Sequence, residues 1–433
     1  MLITADWVLP VSRPPIRNGA VLIERGVVRE VGPARDLEGL DAEHERFDHP
    51  GCVLTPGLVN AHTHLSLTAL GGLFEADDFA IWLGRLVEAV RAWDIGDHAA
   101  SASLGAHRCL EAGVTVVGDI AYGPESPSAA LVAGLGGAFF WEVLGIGAPA
   151  LDAELEKLEF PVAERGACGS RMRCGLSPHS AYTSGPQLLR AVHEASLQWG
   201  VPFAMHVAES RVETDLLRDG SGPLLEVAER AAHGFRVPGV GPVAYLDRLG
   251  VLDGATVVHA GHISPTDIVR LASTARGVVT CPRSNAFLSN PVAPVARLLR
   301  AGIPVGIGTD SAASNHDLDL MEDVRALHAL DPSIPPKTLV EMATAMGAIA
   351  LGLEDRFGIL EPGMQGDVAI FRIRETHDPE ADFVRLAGAK TLEAVYTTGA
   401  WRIREGAHVE PIRNIEAAAR ATRVRTEHAI GRA

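Results

Sequence analysis

Short apolar runs recur along the middle of the chain, at residues 57–62, 114–120, 137–144, 172–177, 202–207, 255–260, 277–281 and 304–308. Between them lie stretches whose apolar positions follow helical spacing. In 79–93, for example, Phe79, Trp82, Leu83, Leu86, Val87 and Val90 fall on one face. Strand-length runs alternating with amphipathic helices predict parallel strands joined by crossovers, and eight of them predict an α/β fold of the (β/α)8 barrel type. The pattern changes at both ends. Trp7-Val8-Leu9, Ala20-Val21-Leu22-Ile23 and Val28-Arg29-Glu30-Val31 predict small antiparallel strands, and Asp367-Val368-Ala369-Ile370-Phe371, Ala394-Val395-Tyr396 and Trp401-Arg402-Ile403 predict a second set. Neither set closes a core alone. We therefore expect residues 1–55 and 361–412 to form one small β-sandwich, with the barrel (56–360) inserted between them and a C-terminal amphipathic helix at 413–433.

Composition narrows the function. Apolar residues make up 47% and charged residues 21% of the 433 positions, as in ordinary globular proteins. A formal charge of −16 without any basic run argues against a nucleic-acid partner and for a small-molecule ligand. The five cysteines are odd in number, scattered and free of a Cys-x-x-Cys pair, which fits a reducing cytoplasm. The first residues lack the basic start and apolar core of a signal peptide. Residues 128–151 carry only Glu142 as a charge, but their glycines and central carboxylate predict a helix end followed by a buried strand, not a membrane span. The terminal helix has two docking options, its own barrel or a second copy, which leaves a homo-oligomer open.

The unusual polar residues fall at the carboxyl ends of the predicted strands, where barrel enzymes place their chemistry. After the first run comes Asn60-Ala61-His62-Thr63-His64, in which alternate residues of an extended segment aim two imidazoles at one point. The fifth ends in Met205-His206-Val207-Ala208-Glu209 and the eighth in Gly308-Thr309-Asp310. His62, His64, His206 and Asp310 thus make a candidate set for one divalent ion, zinc first, with iron or manganese as alternatives, and water completing the coordination. A lone His-x-His is weak; three motifs in this order on strands one, five and eight are not. A second ion usually needs a lysine at the end of the fourth strand. The three lysines, Lys157, Lys337 and Lys390, are elsewhere.

These residues resemble the amidohydrolase superfamily, in its branch of cytosine, guanine, S-adenosylhomocysteine and chlorotriazine deaminases or hydrolases. The resemblance rests on Pro56-Gly57-Leu58-Val59-Asn60-Ala61-His62-Thr63-His64, Leu176-Ser177-Pro178-His179, His206-Val207-Ala208-Glu209, Val258-His259-Ala260-Gly261-His262 and Gly308-Thr309-Asp310-Ser311. It implies the four metal ligands above, Glu209 as proton shuttle, Asp310 as acceptor of the water's proton, and His259 as electrostatic partner of the oxygen. Where many relatives carry His-Asn-Pro-x-Ser-Asn, this chain reads Thr280-Cys281-Pro282-Arg283-Ser284-Asn285. That form, with Asp78-Phe79-x-x-Trp82-Leu83, resembles aminodeoxyfutalosine deaminases of menaquinone biosynthesis. It implies that Arg283 faces a substrate carboxylate, His179 the purine or tail, and Glu142 the ribose hydroxyls, with Trp82 also at the substrate. For Glu142 and Arg283 a salt bridge at the barrel rim is an equal alternative. Rival activities are another aminohydrolase or a chlorohydrolase of the branch, told apart by ammonia or halide release. The rival of a different class is a non-catalytic scaffold, which would not be expected to keep all four ligands and Glu209.

Overall fold

The computed structural model describes residues 1–37, 39, 44–145, 171–231, 235–374 and 376–431. Lys157 and Cys168 lie outside the described residues, as does the end of the 128–151 stretch. The first strands are β1 (Leu2–Val8), β2 (Ile16–Glu24), β3 (Val27–Pro33) and β4 (Arg46–Pro56). Past Gly57 the chain enters β5 (Leu58–Thr63), β6 (Val114–Ala121), β7 (Gly136–Val143) and β8 (Met172–Pro178). There follow β9 (Phe203–Val207), β10 (Ala255–His259), β11 (Gly277–Thr280) and β12 (Val305–Ile307). The chain returns to the terminal strands as β13 (Val368–Arg372), β14 (Leu392–Thr397), β15 (Ala400–Arg404) and β16 (Ala407–His408).

Among the described residues these strands form two eight-stranded sheets. The two chain ends interleave as β16-β15-β14-β13-β4-β1-β2-β3. The three N-terminal runs pair antiparallel as expected, β1 with β2 and β2 with β3, whereas β4, which no predicted run marks, pairs with β1 in parallel. The hairpin partner β2 already occupies one edge of β1, so β4 takes the other edge after the chain has crossed over from β3. Ile3, Val21, Val31, Leu54, Ile370 and Tyr396 share one buried cluster, so the two ends of the chain make a common core. The other sheet runs β5 to β12 in sequence order with every neighbour parallel. Strands such as β5, β6, β9 and β10 are buried along their whole length, which is why they read as unbroken apolar runs.

The barrel closes where β5 meets the end of β12. Thr63 and Asp310 form a parallel bridge, the Asp310 N–H donates to His62 O at 3.0 Å, and Asn60 and Thr309 exchange hydrogen bonds of 2.8 and 3.0 Å. At this seam a Cβ on Gly308 would lie 2.7 Å from the Cβ of His62, so a glycine is required by the close approach.

Helices cover the barrel. Phe79–Val90 is capped by Asp78, whose carboxylate accepts from Ala80 N, and its buried face holds Phe79, Trp82 and Leu86. Glu125–Ala133 leads into β7 and accounts for the described part of the weakly charged stretch. No described helix is long and apolar enough to cross a membrane. The terminal helix, Arg413–Ala429, packs on its own barrel. Thr422 Oγ1 donates to Asp97 at 2.8 Å, Arg425 pairs with the same carboxylate, Trp93 Nε1 donates to Thr426 Oγ1 at 2.8 Å, and the Arg423 guanidinium holds Gly71 O. Asp97 also completes the capping box that starts the helix Ile95–Glu111. Replacing Asp97 by Ala is expected to lower unfolding free energy by about 2 kcal/mol, from a lost cap and the lost anchor of the terminal helix. Chemical denaturation measures the first effect. Limited proteolysis measures the second, as faster cleavage within 413–431.

Candidate metal centre and active site

Three strand ends, those of β5, β9 and β12, bring the four predicted ligands together. Between Asn60 and Thr63, β5 takes three steps while β6 takes two, from Val117 to Asp119. Such a bulge re-aims side chains, and it turns His62 inward beside His64. The His62 ring lies 5.0 Å from both His64 and His206, centre to centre, and the His64 and His206 rings are 5.6 Å apart. Asp310 enters from across the seam with φ 59°, and its Oδ1 lies 3.5 Å from the Nε2 atoms of both His62 and His64. All four residues are at least nine-tenths buried.

The donor set fits a divalent cation. His62 Nε2 is buried without a hydrogen-bond partner, and a separation of 3.5 Å from a carboxylate oxygen is too long to make one. His206 Nδ1 sits 2.9 Å from the carbonyl of His179, so Nδ1 carries the proton and Nε2 keeps a lone pair for the centre. Burial, with the neighbouring imidazoles, pushes His64 down to about 3 and His206 well below the usual range. Those rings are therefore neutral at neutral pH, as ligation requires. Burial opposes charge on Asp310, but the nearby His62 and His64 hold its carboxyl well below the ordinary value.

Glu209 and His259 close over the same space. Glu209 Oε1 is 3.7 Å from His259 Nε2, and both have donor atoms within 4.8 Å of the Asp310 carboxylate. Burial, together with the charges of Asp310 and Glu213, raises Glu209 well above the ordinary carboxylate range. The His259 ring is 5.7 Å from His62 and 5.6 Å from His206, near enough that its nitrogen shares one cluster with theirs. Burial lowers it to about 4.

The predicted substrate residues divide. His179 and Glu142 meet beside His206, with donor atoms within 4.8 Å of one another. His179 Nδ1 is engaged by Ser180 and Thr183 hydroxyls at 3.0 and 2.9 Å, whereas Glu142 Oε1 is buried and unpartnered, and burial pushes that carboxyl up to about 8. Arg283 is held elsewhere: its guanidinium lies 2.8 Å from Asp317 and 3.7 Å from Asp323, and its backbone N–H donates to Asp323. This is the rim salt bridge, and a substrate carboxylate would have to compete with two protein carboxylates. Trp82 is buried in the cluster above the barrel, and its Nε1 donates to Ala313 O at 3.0 Å. It braces the loop after Asp310.

Several residues that sequence reasoning assigned no role support the site. Ser284 Oγ and Ser314 Oγ donate to Asp310 Oδ2 at 2.6 and 3.2 Å, while the Ser311 N–H donates to Oδ1 at 2.7 Å. Asn285 Oδ1 faces His259 Nδ1 at 3.5 Å. Tyr122, just past β6 and partly exposed, sets its ring 6.2 Å from that of His64. Ser284 and Asn285 follow Arg283 directly, so the signal was position: they stand one and two places past the residue that drew attention. Removing the Ser284 hydroxyl (Ser284→Ala) is expected to weaken metal binding about 10- to 100-fold, read by competition with a chelating dye. Unchanged affinity would remove Ser284 from the support of Asp310.

Comparison with known proteins identifies the family of the chain. Residues 53–402 match the profile of the Amidohydrolase family. The chain is 34% identical over 416 residues to a protein named 5-methylthioadenosine/S-adenosylhomocysteine deaminase from Desulforudis audaxviator, covering 92% of each chain. A protein of the same name from Haloarcula marismortui is 36% identical over 360 residues, 80% of this chain and 78% of that one. Among solved structures, an adenosine deaminase from Xanthomonas campestris with bound zinc superposes with TM-score 0.87 at 24% identity, over 99% of this chain and 98% of that one. Helicobacter pylori aminofutalosine deaminase superposes with TM-score 0.81 at 22% identity, over 93% of this chain and all of the other. By the length of these matches, the chain belongs to the amidohydrolase family and is a hydrolase acting on carbon–nitrogen bonds.

Proposed function

We propose that the protein is a metal-dependent deaminase that converts the 6-amino group of a purine nucleoside into a carbonyl and releases ammonia. The observation that carries this reading is the convergence of His62, His64, His206 and the Asp310 carboxylate on one buried point, with Glu209 and His259 donor atoms within 4.8 Å of Asp310. His62, His64, His206 and Asp310 would hold the ion, zinc by preference, which supplies Lewis acidity and makes water nucleophilic near neutral pH. Asp310, ionised and braced on Oδ2 by two serines, takes the proton that the attacking water sheds. Glu209, its carboxyl raised by burial, gives its proton to the ring nitrogen next to the attacked carbon, which lets that carbon accept the nucleophile. His259 stabilises the incoming oxygen from the facing side. The proton held on Asp310 then passes to the amino nitrogen, the carbon–nitrogen bond breaks to release ammonia, and the added hydroxyl gives its proton to Glu209 as the carbonyl forms, which restores both carboxyls.

For the remainder of the substrate, the unpartnered Glu142 carboxyl suits the vicinal hydroxyls of a ribose, and His179 contacts the base or tail. We propose aminodeoxyfutalosine as the substrate, on the Cys281-Pro282-Arg283-Ser284-Asn285 segment. A second reading, methylthioadenosine or S-adenosylhomocysteine, is favoured by the names of the relatives and by the engagement of Arg283 with Asp317.

Ammonia release and ultraviolet change on aminodeoxyfutalosine, methylthioadenosine, S-adenosylhomocysteine, adenosine and guanine test both levels. Glu209→Gln is expected to keep its metal and lose at least about 100-fold in kcat. Preference for aminodeoxyfutalosine, reduced in Arg283→Ala, supports the first substrate. Preference for the thioadenosines with Arg283→Ala unaffected selects the second, and no release from any of these compounds rejects the deaminase reading.

A further inference from the structure

We infer that Glu213 is a positioning residue for the reaction, a buried clamp that holds the turn carrying Glu209. The inference rests on the reading of Glu209 as proton donor. Glu209 does not sit on a strand: β9 ends at Val207, and the chain turns through Ala208, whose φ of 53° is a left-handed conformation that side chains other than glycine avoid. Something must hold that turn. Glu213, in the first turn of the helix Arg211–Asp219, is 1% exposed and spends both carboxylate oxygens there. Its Oε1 accepts the Ala208 N–H at 3.1 Å and its Oε2 accepts the Glu209 N–H at 2.9 Å.

The departure from ordinary helix capping points the same way. Ser210-Arg211-Val212-Glu213 has capping-box spacing, and Ser210 Oγ accepts the Glu213 N–H at 3.2 Å as such a box requires. In a plain box the glutamate returns to the N–H of the capping serine. Here its hydrogen bonds of 3.1 and 2.9 Å go to the two residues before Ser210, with the Ser210 backbone also close, so the carboxylate holds the turn as well as the helix end. The two amides lie on either side of the left-handed residue's peptide, and only a carboxylate offers an acceptor to each. The amide of a glutamine would set N–H against N–H at one of them. The metal ligand two residues upstream is anchored separately, because the His206 N–H and Nδ1 both contact His179 O, at 3.1 and 2.9 Å.

The test is Glu213→Gln, assayed for kcat, KM and metal content on the nucleoside that wild type deaminates, with a crystal structure of the variant. A displaced Glu209 should cost about 100-fold in kcat, as misplacement of a reacting group by an ångström does, with KM and metal content held. The structure should show the 207–210 turn moved. Activity within about threefold of wild type, or a turn that superposes on the wild-type one, overturns the inference. Should that variant fail to fold, Ala208→Gly is added to relieve the backbone. In the double variant a kcat loss with KM and metal retained supports the clamp, and full activity overturns it. If wild type deaminates no nucleoside, the proposed function fails, and the position of the Glu209 carboxyl in the variant crystal decides this inference by itself.

Discussion

Everything at the site depends on the seam that closes the barrel. His62 and His64 stand on one lip and Asp310 on the other, and the backbone hydrogen bond from Asp310 N–H to His62 O joins the lips directly. The Asn60 and Thr309 side chains bind each other across it, and Asn315 ties Thr309 O to the buried Asp323. Gly308 allows the two backbones to come this close. An open sheet with the same eight strands would leave the imidazoles of β5 at one edge and the carboxylate of β12 at the other. Closure of the fold and assembly of the ligand set are one event.

Burial then divides the labour among chemically similar groups. Asp310 and Glu209 are both buried carboxyls with donor atoms within 4.8 Å of each other and of His259, yet they move in opposite directions. Asp310 is surrounded by imidazoles and receives two serine hydroxyls and a backbone N–H. Glu209 has the negative charges of Asp310 and Glu213 for neighbours. Two adjacent carboxyls are thus pushed in opposite directions, as the proposed roles of base and acid would require.

The barrel was legible because parallel strands buried on both faces read as apolar runs, and a polar residue interrupting the end of such a run stands out. His62, His64, His206 and Asp310 are all exceptions of that kind. The terminal sheet was less legible. Strand-like runs mark β1, β2, β3, β13, β14 and β15 but not β4 or β16, and the parallel pairing of β1 with β4 depends on which edge of β1 is free, which is decided by tertiary contacts. Arg283 shows the same limit at the level of one side chain. Its local sequence suggested a substrate carboxylate, whereas its partners Asp317 and Asp323 come 34 and 40 residues later. Ser284 and Asn285 belong to residue types too common for composition to mark them. Glu213 was hidden by a motif that explains it adequately as a helix cap.

The seam also orders events in time. Its lips are residues 58–63 and 305–310, so the first two candidate ligands are synthesised long before the fourth. Contacts separated this far in sequence form late and slowly, because chain closure must precede any gain from them. The half-site at His62 and His64 therefore passes through much of folding as two histidines on an exposed strand edge, with little power to retain a cation. The complete set of four donors thus exists only once residues 58–63 and 305–310 have met and the barrel has shut.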